Sequence, residues 1–273
     1  MPVDRGLFHS RVAISAYFVL HGFATGTWIS RIPAEQERLD LSAAVLGVVL
    51  LGNMAGALLA GLTSGGTVSR WGSRHVTRFA AMSGFLTLAL LGLLDNAASL
   101  FLGLALFGFL QATLNIAMNT QAAALEARYG RPIFSSFHAL WSAGALSGAL
   151  SGAGLAGLGL SPSPHFALVG ALGIAVAAYA GNYLLAASVS QGRRMFVLPR
   201  GSLLALGLLG FCAAISDGSI AGWSGVYLRS LGAPESVAAL GFALHQSVMF
   251  FGRFSGDFMV SRFGAVSVVR LGA

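Results

Sequence analysis

Lysine does not occur in this chain of 273 residues, cysteine occurs once, at position 212, and only nine residues are acidic. One cysteine makes no intrachain disulfide and no cysteine metal site. Charged residues amount to 9% of the chain, where a soluble domain carries about 25%, so a normal water-facing surface cannot be built. Enzyme signatures are missing too. Without a Walker loop an ATP-driven pump is not expected, and there is no His-Glu-x-x-His metal pair and no Gly-x-Ser-x-Gly nucleophile turn. The chain therefore reads as a non-enzyme with no cofactor and no metal.

What is abundant is apolar: 56% of residues, with a mean hydropathy of +0.77. Windows of about 20 residues, the length that crosses a bilayer core, pick out eight apolar segments, near 12–30, 43–64, 76–94, 98–121, 134–158, 165–187, 202–223 and 236–256. The first is too long for a secretory signal and shows no small-x-small cleavage site, so it counts as the first helix. These are all-α features of a polytopic membrane protein.

The net charge of +7 would suggest nucleic acid in a soluble protein, but its distribution says otherwise. Thirteen of the sixteen arginines fall on one side of the eight spans, and Arg31, Arg38 and Arg229 alone fall on the other. The positive-inside rule then puts both termini in the cytoplasm of a bacterial inner membrane. The basic balance is a topology signal. No arginine run is interleaved with aromatics, so nucleic acid is not an expected partner.

Two short stretches repeat. Ser69-Arg70-Trp71-Gly72 returns as Ser261-Arg262-Phe263-Gly264 after 192 positions, each copy following a long apolar run. That offset exceeds solenoid repeats of about 20–50 residues and suits two halves of a transporter. The expected organisation is a six-helix N-terminal half over 1–190, a cytoplasmic linker over 191–200, and the first two helices of a second half over 201–273. A full second repeat would need four more helices after Ala273, so the chain reads as truncated after its eighth helix.

Gly65-x-x-x-Ser69-Arg70-x-Gly72-x-Arg74 resembles the loop signature between helices 2 and 3 of the major facilitator superfamily. The second copy, with Arg262 and Gly264, is similar to the loop after helix 8. The resemblance implies secondary transport by alternating access, with Arg70, Gly72, Arg74, Arg262 and Gly264 at a gating turn; the competing role for the arginines is simple topology setting. The chain departs from the signature, which has aspartate where Ser69 and Ser261 stand, while Asp257 is free to pair with Arg253 or Arg262. Trp28-x-Ser30-Arg31-x-Pro33-Ala34 and His138-x-x-Trp141-Ser142-x-Gly144, with Leu114-Asn115-x-x-x-Asn119, resemble a bacterial branch of uncharacterised permeases related to the fucose permease group.

Polar groups at membrane depth are costly unless they face protein or a wet cavity. Gln111, Asn115 and Asn119 recur every four residues, along about 12 Å of one helix face; they suit a hydroxylated solute, or serve as interhelical glue. His21, His245 and Gln246 lie near mid-span, where transporter sites gather, and His138 and Trp141 stand one turn apart. These eight are the candidate solute-binding residues, each with packing as its alternative. Asp217 is the one acidic residue well inside a span, a candidate for proton coupling or a structural pair. Gly144, Gly148 and Gly152 form a small-residue face that lets another helix approach closely.

The resulting expectation is a secondary transporter of a small polar solute, sugar-like or an organic acid, with protons and the lipid bilayer as its other partners. The alternatives are a truncated, transport-inactive membrane protein, or a short protein that completes its bundle by dimerising.

Overall fold

The computed structural model describes residues 5–130, 133–186 and 201–264, with 267 and 270; at Arg253 and Asp257 only the backbone is described. The expected linker, 191–200, and the pairing expected of Asp257 lie outside this description. Nine α-helices are described: α1 (Arg5–Ser30), α2 (Ile32–Arg38), α3 (Ala43–Trp71), α4 (Ser73–Leu91), α5 (Ala97–Tyr129), α6 (Phe134–Gly157), α7 (Pro162–Ala180), α8 (Ser202–Ser230) and α9 (Glu235–Phe263). Eight are long and correspond to the eight apolar segments. The short α2 was not anticipated. It forms because Pro33 at a helix start interrupts the run from α1, proline having no N–H to give to a continuing helix.

The helix ends follow the sequence. Ser42 caps α3, its hydroxyl accepting from the Val45 N–H at 3.3 Å. Asn96 and Ser99 close a reciprocal cap on α5, a helix of 33 residues and so about 50 Å long. The Glu126 carboxylate accepts from the backbone N–H groups of Ile133 and Phe134, both at 2.8 Å, and thereby holds the start of α6, where negative charge suits the helix dipole.

In the first half α1 packs on α6, α3 on α5, and α4 between α5 and α7. Their common core includes Ile14, Tyr17, Phe18, Phe85, Leu100, Leu104, Phe137 and Phe166. Gly144, Gly148 and Gly152 allow a close approach: a Cβ at each would collide with Val19 O, Phe23 O and Ser30 Oγ of α1, respectively. The small-residue face thus serves the α1–α6 contact. In the second half α9 lies against α6, and α8 mainly against α9.

Apolar side chains cover the outside. Leu58, Leu59 and Leu62 on α3, Phe79 on α4 and Leu172 on α7 are exposed, as hydrocarbon solvent permits. Gly6–Ser30, Ala43–Trp71, Ala97–Tyr129 and Pro162–Tyr183 are each long and apolar enough to cross a membrane on that ground alone. The other long helices, α4, α6, α8 and α9, pack alongside them or one another.

The sequence repeat is also a repeat of backbone. Helices α3 and α9 are both 29 residues long, with starts and ends separated by the same 192 positions. The glycines that follow them, Gly72 and Gly264, have φ of +79° and +80°, a conformation that side chains with a Cβ rarely adopt.

Candidate functional site

The polar residues of the first half meet where α1, α5 and α6 converge. The Trp141 indole N–H donates to His21 Nδ1 at 2.6 Å. An indole nitrogen only donates, so Nδ1 must carry a lone pair and the proton of neutral His21 belongs on Nε2. The Thr25 hydroxyl donates to the His21 carbonyl at 2.9 Å. The Gln111 amide donates to the same carbonyl at 3.4 Å and to Thr25 Oγ1 at 3.3 Å. His138, one turn before Trp141, stands edge-on to Phe18. The structure therefore brings His21, Gln111 and Trp141 into one network and adds Thr25, which the sequence reading passed over because a threonine in an apolar helix carries no signal.

The expected ladder on α5 divides. Gln111 is committed to α1, whereas Asn119 turns back to donate to Asn115 Oδ1 at 2.9 Å and to the Asn115 carbonyl at 2.8 Å. Asn115 is exposed and Asn119 half-buried.

Across from this network, His245 Nε2 lies 3.2 Å from Asp217 Oδ1, linking α9 to α8, and the Asp217 side chain is half exposed. Gln246 is buried, with no partner for its Oε1 among the described residues. Phe242, one turn before Gln246, packs with Ala145 and Ala149 of α6, and Trp141 lies against the same cluster. Trp141 thus joins the His21 network to the cluster in which α6 meets Phe242 and Ala243 of α9.

At the opposite helix ends, Arg74 donates to the Asn182 carbonyl at 2.9 Å, Arg70 lies over the Trp71 ring, and Arg262 is exposed. Both glycines of the repeated turn have the positive φ already described.

A further polar cluster surrounds α2. Arg31 pairs with Glu235 at 2.5 Å and donates to the Leu160 carbonyl. Arg38 pairs with Glu35 at 2.5 Å and donates to the Leu94 carbonyl at 2.6 Å. Arg229 pairs with Glu37 at 2.6 Å. Burial holds the Glu35 carboxyl above its ordinary range in spite of Arg38 and Arg31, and burial lowers the Arg31 guanidinium, partly offset by Glu235. Buried His165 lies at the start of α7, 3.5 Å from Ser151 Oγ. None of these residues was singled out for a role from sequence. The available signal was that Arg31, Arg38 and Arg229 are the three arginines on the arginine-poor side.

Comparison with known proteins bears on the family and the fold. The chain is 34% identical over 265 residues to an uncharacterized transporter of Sinorhizobium fredii, covering 94% of this chain and 70% of that protein. It is 33% identical to an uncharacterized MFS-type transporter of Yersinia pestis, covering 95% and 68%. The chain belongs to the major facilitator superfamily. A further relative of this facilitator, the membrane protein MosC of Rhizobium meliloti, is 29% identical over 95% of this chain and 64% of its own length. No protein-family model matches. Among solved structures, the nucleoside transporter NupG superposes with a TM-score of 0.68 at 15% identity, over 93% of this chain and 68% of that one. The chain is thus a multi-pass membrane protein of a transporter family rather than an enzyme family, and a small-molecule solute is its implied partner.

Proposed function

We propose that this facilitator carries a small polar solute across the bacterial inner membrane by alternating access, with both termini cytoplasmic, and that Asp217 couples the movement to protons. The observation that carries this reading is the relation of Asp217 to the His21 network. The repeat offset of 192 makes Asp217 the equivalent of Thr25, which is bonded to Gln111. A two-fold related helix turns its equivalent residue toward the same central space, and that residue here is a carboxylate paired with His245.

His21, Gln111, Asn115, Asn119, His138, Trp141, His245 and Gln246 would meet the solute. None of these eight is an arginine, a lysine or a carboxylate, which favours an uncharged, hydroxylated molecule over an organic acid. NupG, a nucleoside transporter, supports the fold alone at its level of identity. Kinship with the fucose permease branch rests on the motifs at Trp28, Asn115 and His138. His21 is the weaker proton carrier, because its Nδ1 is occupied by the Trp141 N–H. At the cytoplasmic end Arg70, Gly72, Arg74, Arg262 and Gly264 would form the turns on which the halves rock. The arginine split supports the orientation.

The test is uptake into proteoliposomes of the solute that best raises thermal stability in a screen of sugars, nucleosides and organic acids. Uptake driven by an inward proton gradient is the expected result. Absence of uptake and of counterflow would refute transport by this chain. Labelling of a cysteine at Ser163 only from the periplasm, and at Gly192 only from the cytoplasm, checks the orientation; the reverse pattern overturns it.

A further inference from the structure

On the arginine-rich side of the spans the sequence sets thirteen arginines against Asp4, Glu126 and Asp257, and the Glu126 carboxylate is already taken by two backbone N–H groups. Three carboxylates cannot neutralise thirteen guanidinium groups. Two of these arginines are built into one corner, where α4 begins and α7 ends. Arg74 and Arg78 lie one turn apart on α4, and both reach the end of α7. Arg74 Nη2 donates to the Asn182 carbonyl at 2.9 Å. Arg78 lies over Gly181, so closely that a Cβ there would come within 2.5 Å of its Cγ and 2.7 Å of its Nε. The bare glycine backbone is the seat of the arginine stem.

That seat leaves Arg78 half-buried and without an ion pair among the described residues. A cation held out of water in this way calls for an anion. Two residues past Gly181, the Tyr183 ring stacks on His9 of α1 at 5.7 Å and meets Tyr179 edge-on at 5.6 Å. Tyr179 is 68% exposed and Tyr183 41%, which suits tyrosines at the headgroup level of a bilayer. Deeper along the same two helices, every exposed side chain from Phe79 to Leu90 and from Ala167 to Val176 is apolar. Phe79 to Leu90 spans about 16 Å along the axis, the depth of one leaflet of a hydrocarbon core about 30 Å thick.

We propose that this corner is a binding site for an anionic phospholipid of the leaflet on the arginine-rich side, phosphatidylglycerol or a related phosphodiester lipid. The phosphodiester oxygens accept from the N–H groups of Arg78, whose planar fork suits bidentate contact with phosphate, and from the remaining donors of Arg74. The Tyr179 and Tyr183 rings sit at the level of the glycerol esters, and an acyl chain follows the apolar stripes of α4 and α7. A soluble phosphate would satisfy the arginines but leave the rings and the stripes unused. A zwitterionic headgroup brings its own cation to an already cationic corner. Because the seat joins α4 to α7, the bound lipid ties these two helices together at one end without touching the His21 network.

Native mass spectrometry of the purified chain reads the site directly and needs no solute, so its result is independent of the transport reading. Dioleoyl phosphatidylglycerol should bind as a single tight adduct, about tenfold more tightly than dioleoyl phosphatidylcholine. Arg78→Gln should weaken that adduct by about tenfold or more and leave phosphatidylcholine unaffected. Arg128→Gln, at an exposed arginine of the same face on α5, should change nothing. If folded Arg78→Gln protein, judged by its size-exclusion profile, binds phosphatidylglycerol as tightly as the parent, the site is overturned. Equal weakening by Arg128→Gln would also overturn it, in favour of diffuse charge. Should Arg78→Gln fail to fold, Tyr179→Ala decides the matter at an exposed position: a loss of about threefold is expected, and parent affinity overturns the site. Full displacement of the adduct by inorganic phosphate or glycerol phosphate would overturn the lipid assignment.

Discussion

Helices α1 and α8 hold equivalent places in the two repeats, yet one is locked in and the other is not. Thr25-Gly26-Thr27 of α1 corresponds to Asp217-Gly218-Ser219 of α8. A Cβ at Gly26 would run into the Ala145 carbonyl of α6, whereas nothing lies within 4 Å of one at Gly218. On α1, Ile14, Tyr17 and Phe18 are fully buried, while on α8 Leu208, Phe211 and Ile215 are all more than half exposed. The residues at the repeat's central position differ in chemistry: Thr25 on α1 is held in a neutral hydrogen-bond network, while Asp217 on α8 is an ionisable group paired with His245.

The largest test of that contrast compares Gly26→Leu with Gly218→Leu. Added bulk against a backbone carbonyl finds no side chain that can move aside, and overpacking of this kind costs upward of about 3 kcal/mol. Gly26→Leu should abolish the monodisperse size-exclusion peak, and Gly218→Leu should leave it in place. Equal loss at both positions would mean that α8, too, is closely covered by another helix, and the contrast would disappear.

Asp217→Asn comes next. It keeps the shape and a hydrogen bond to His245 while removing the titratable charge, so proton-driven uptake should fall by tenfold or more, about 1.4 kcal/mol, with counterflow preserved. Unchanged proton-driven uptake would remove Asp217 from coupling and leave His245. Placing the carboxylate in the other repeat, as Thr25→Asp with Asp217→Asn, should not restore coupling, because Thr25 is enclosed in the Gln111 network.

Much of the architecture is legible in the residues because membrane helices must be long, apolar and bounded by charge. The eight spans and the glycine face of α6 follow from that rule. The repeat around Gly72 and Gly264 was legible because both copies need the same unusual φ, which keeps the glycine visible even though the neighbouring Trp71 and Phe263 differ. The inter-half pairs were hidden. Arg31 and Glu235 are 204 residues apart, and no local spacing announces a contact at that distance. Glu37 and Arg229 could have been paired by applying the offset once more, but opposite charges at equivalent positions do not look like a repeat. The His21–Trp141 bond was missed for a similar reason: each residue was weighed on its own helix, while the bond exists because the glycines let α1 and α6 approach.

A smaller effect tests whether the duplicated turn is equivalent in both halves. Alanine at Gly72 or at Gly264 must adopt a φ near +80°, a strain of about 1–3 kcal/mol. Each substitution should lower the thermal midpoint, by similar amounts, and neither should change which side labels Ser163→Cys. A drop at Gly72 alone would show that the turn is set by its surroundings in one half only, and the equivalence drawn from the repeat would fail there.

The smallest expected effect lies within the α1 network, where Trp141→Phe separates binding from packing. Phenylalanine keeps an aromatic ring against the Ala145, Ala149 and Phe242 cluster but has no N–H for His21 Nδ1, and the 2.6 Å bond is lost. A single hydrogen bond of this kind is worth about 1 kcal/mol. If Trp141 orients His21 for the solute, that loss should appear as a roughly fivefold rise in the half-saturation concentration, with the maximal rate kept, since the groups proposed to carry protons are on α8 and α9. A variant whose thermal midpoint falls while half-saturation stays fixed would assign Trp141 to the cluster with Ala145, Ala149 and Phe242, and would make the α1 side of the comparison a wall alone.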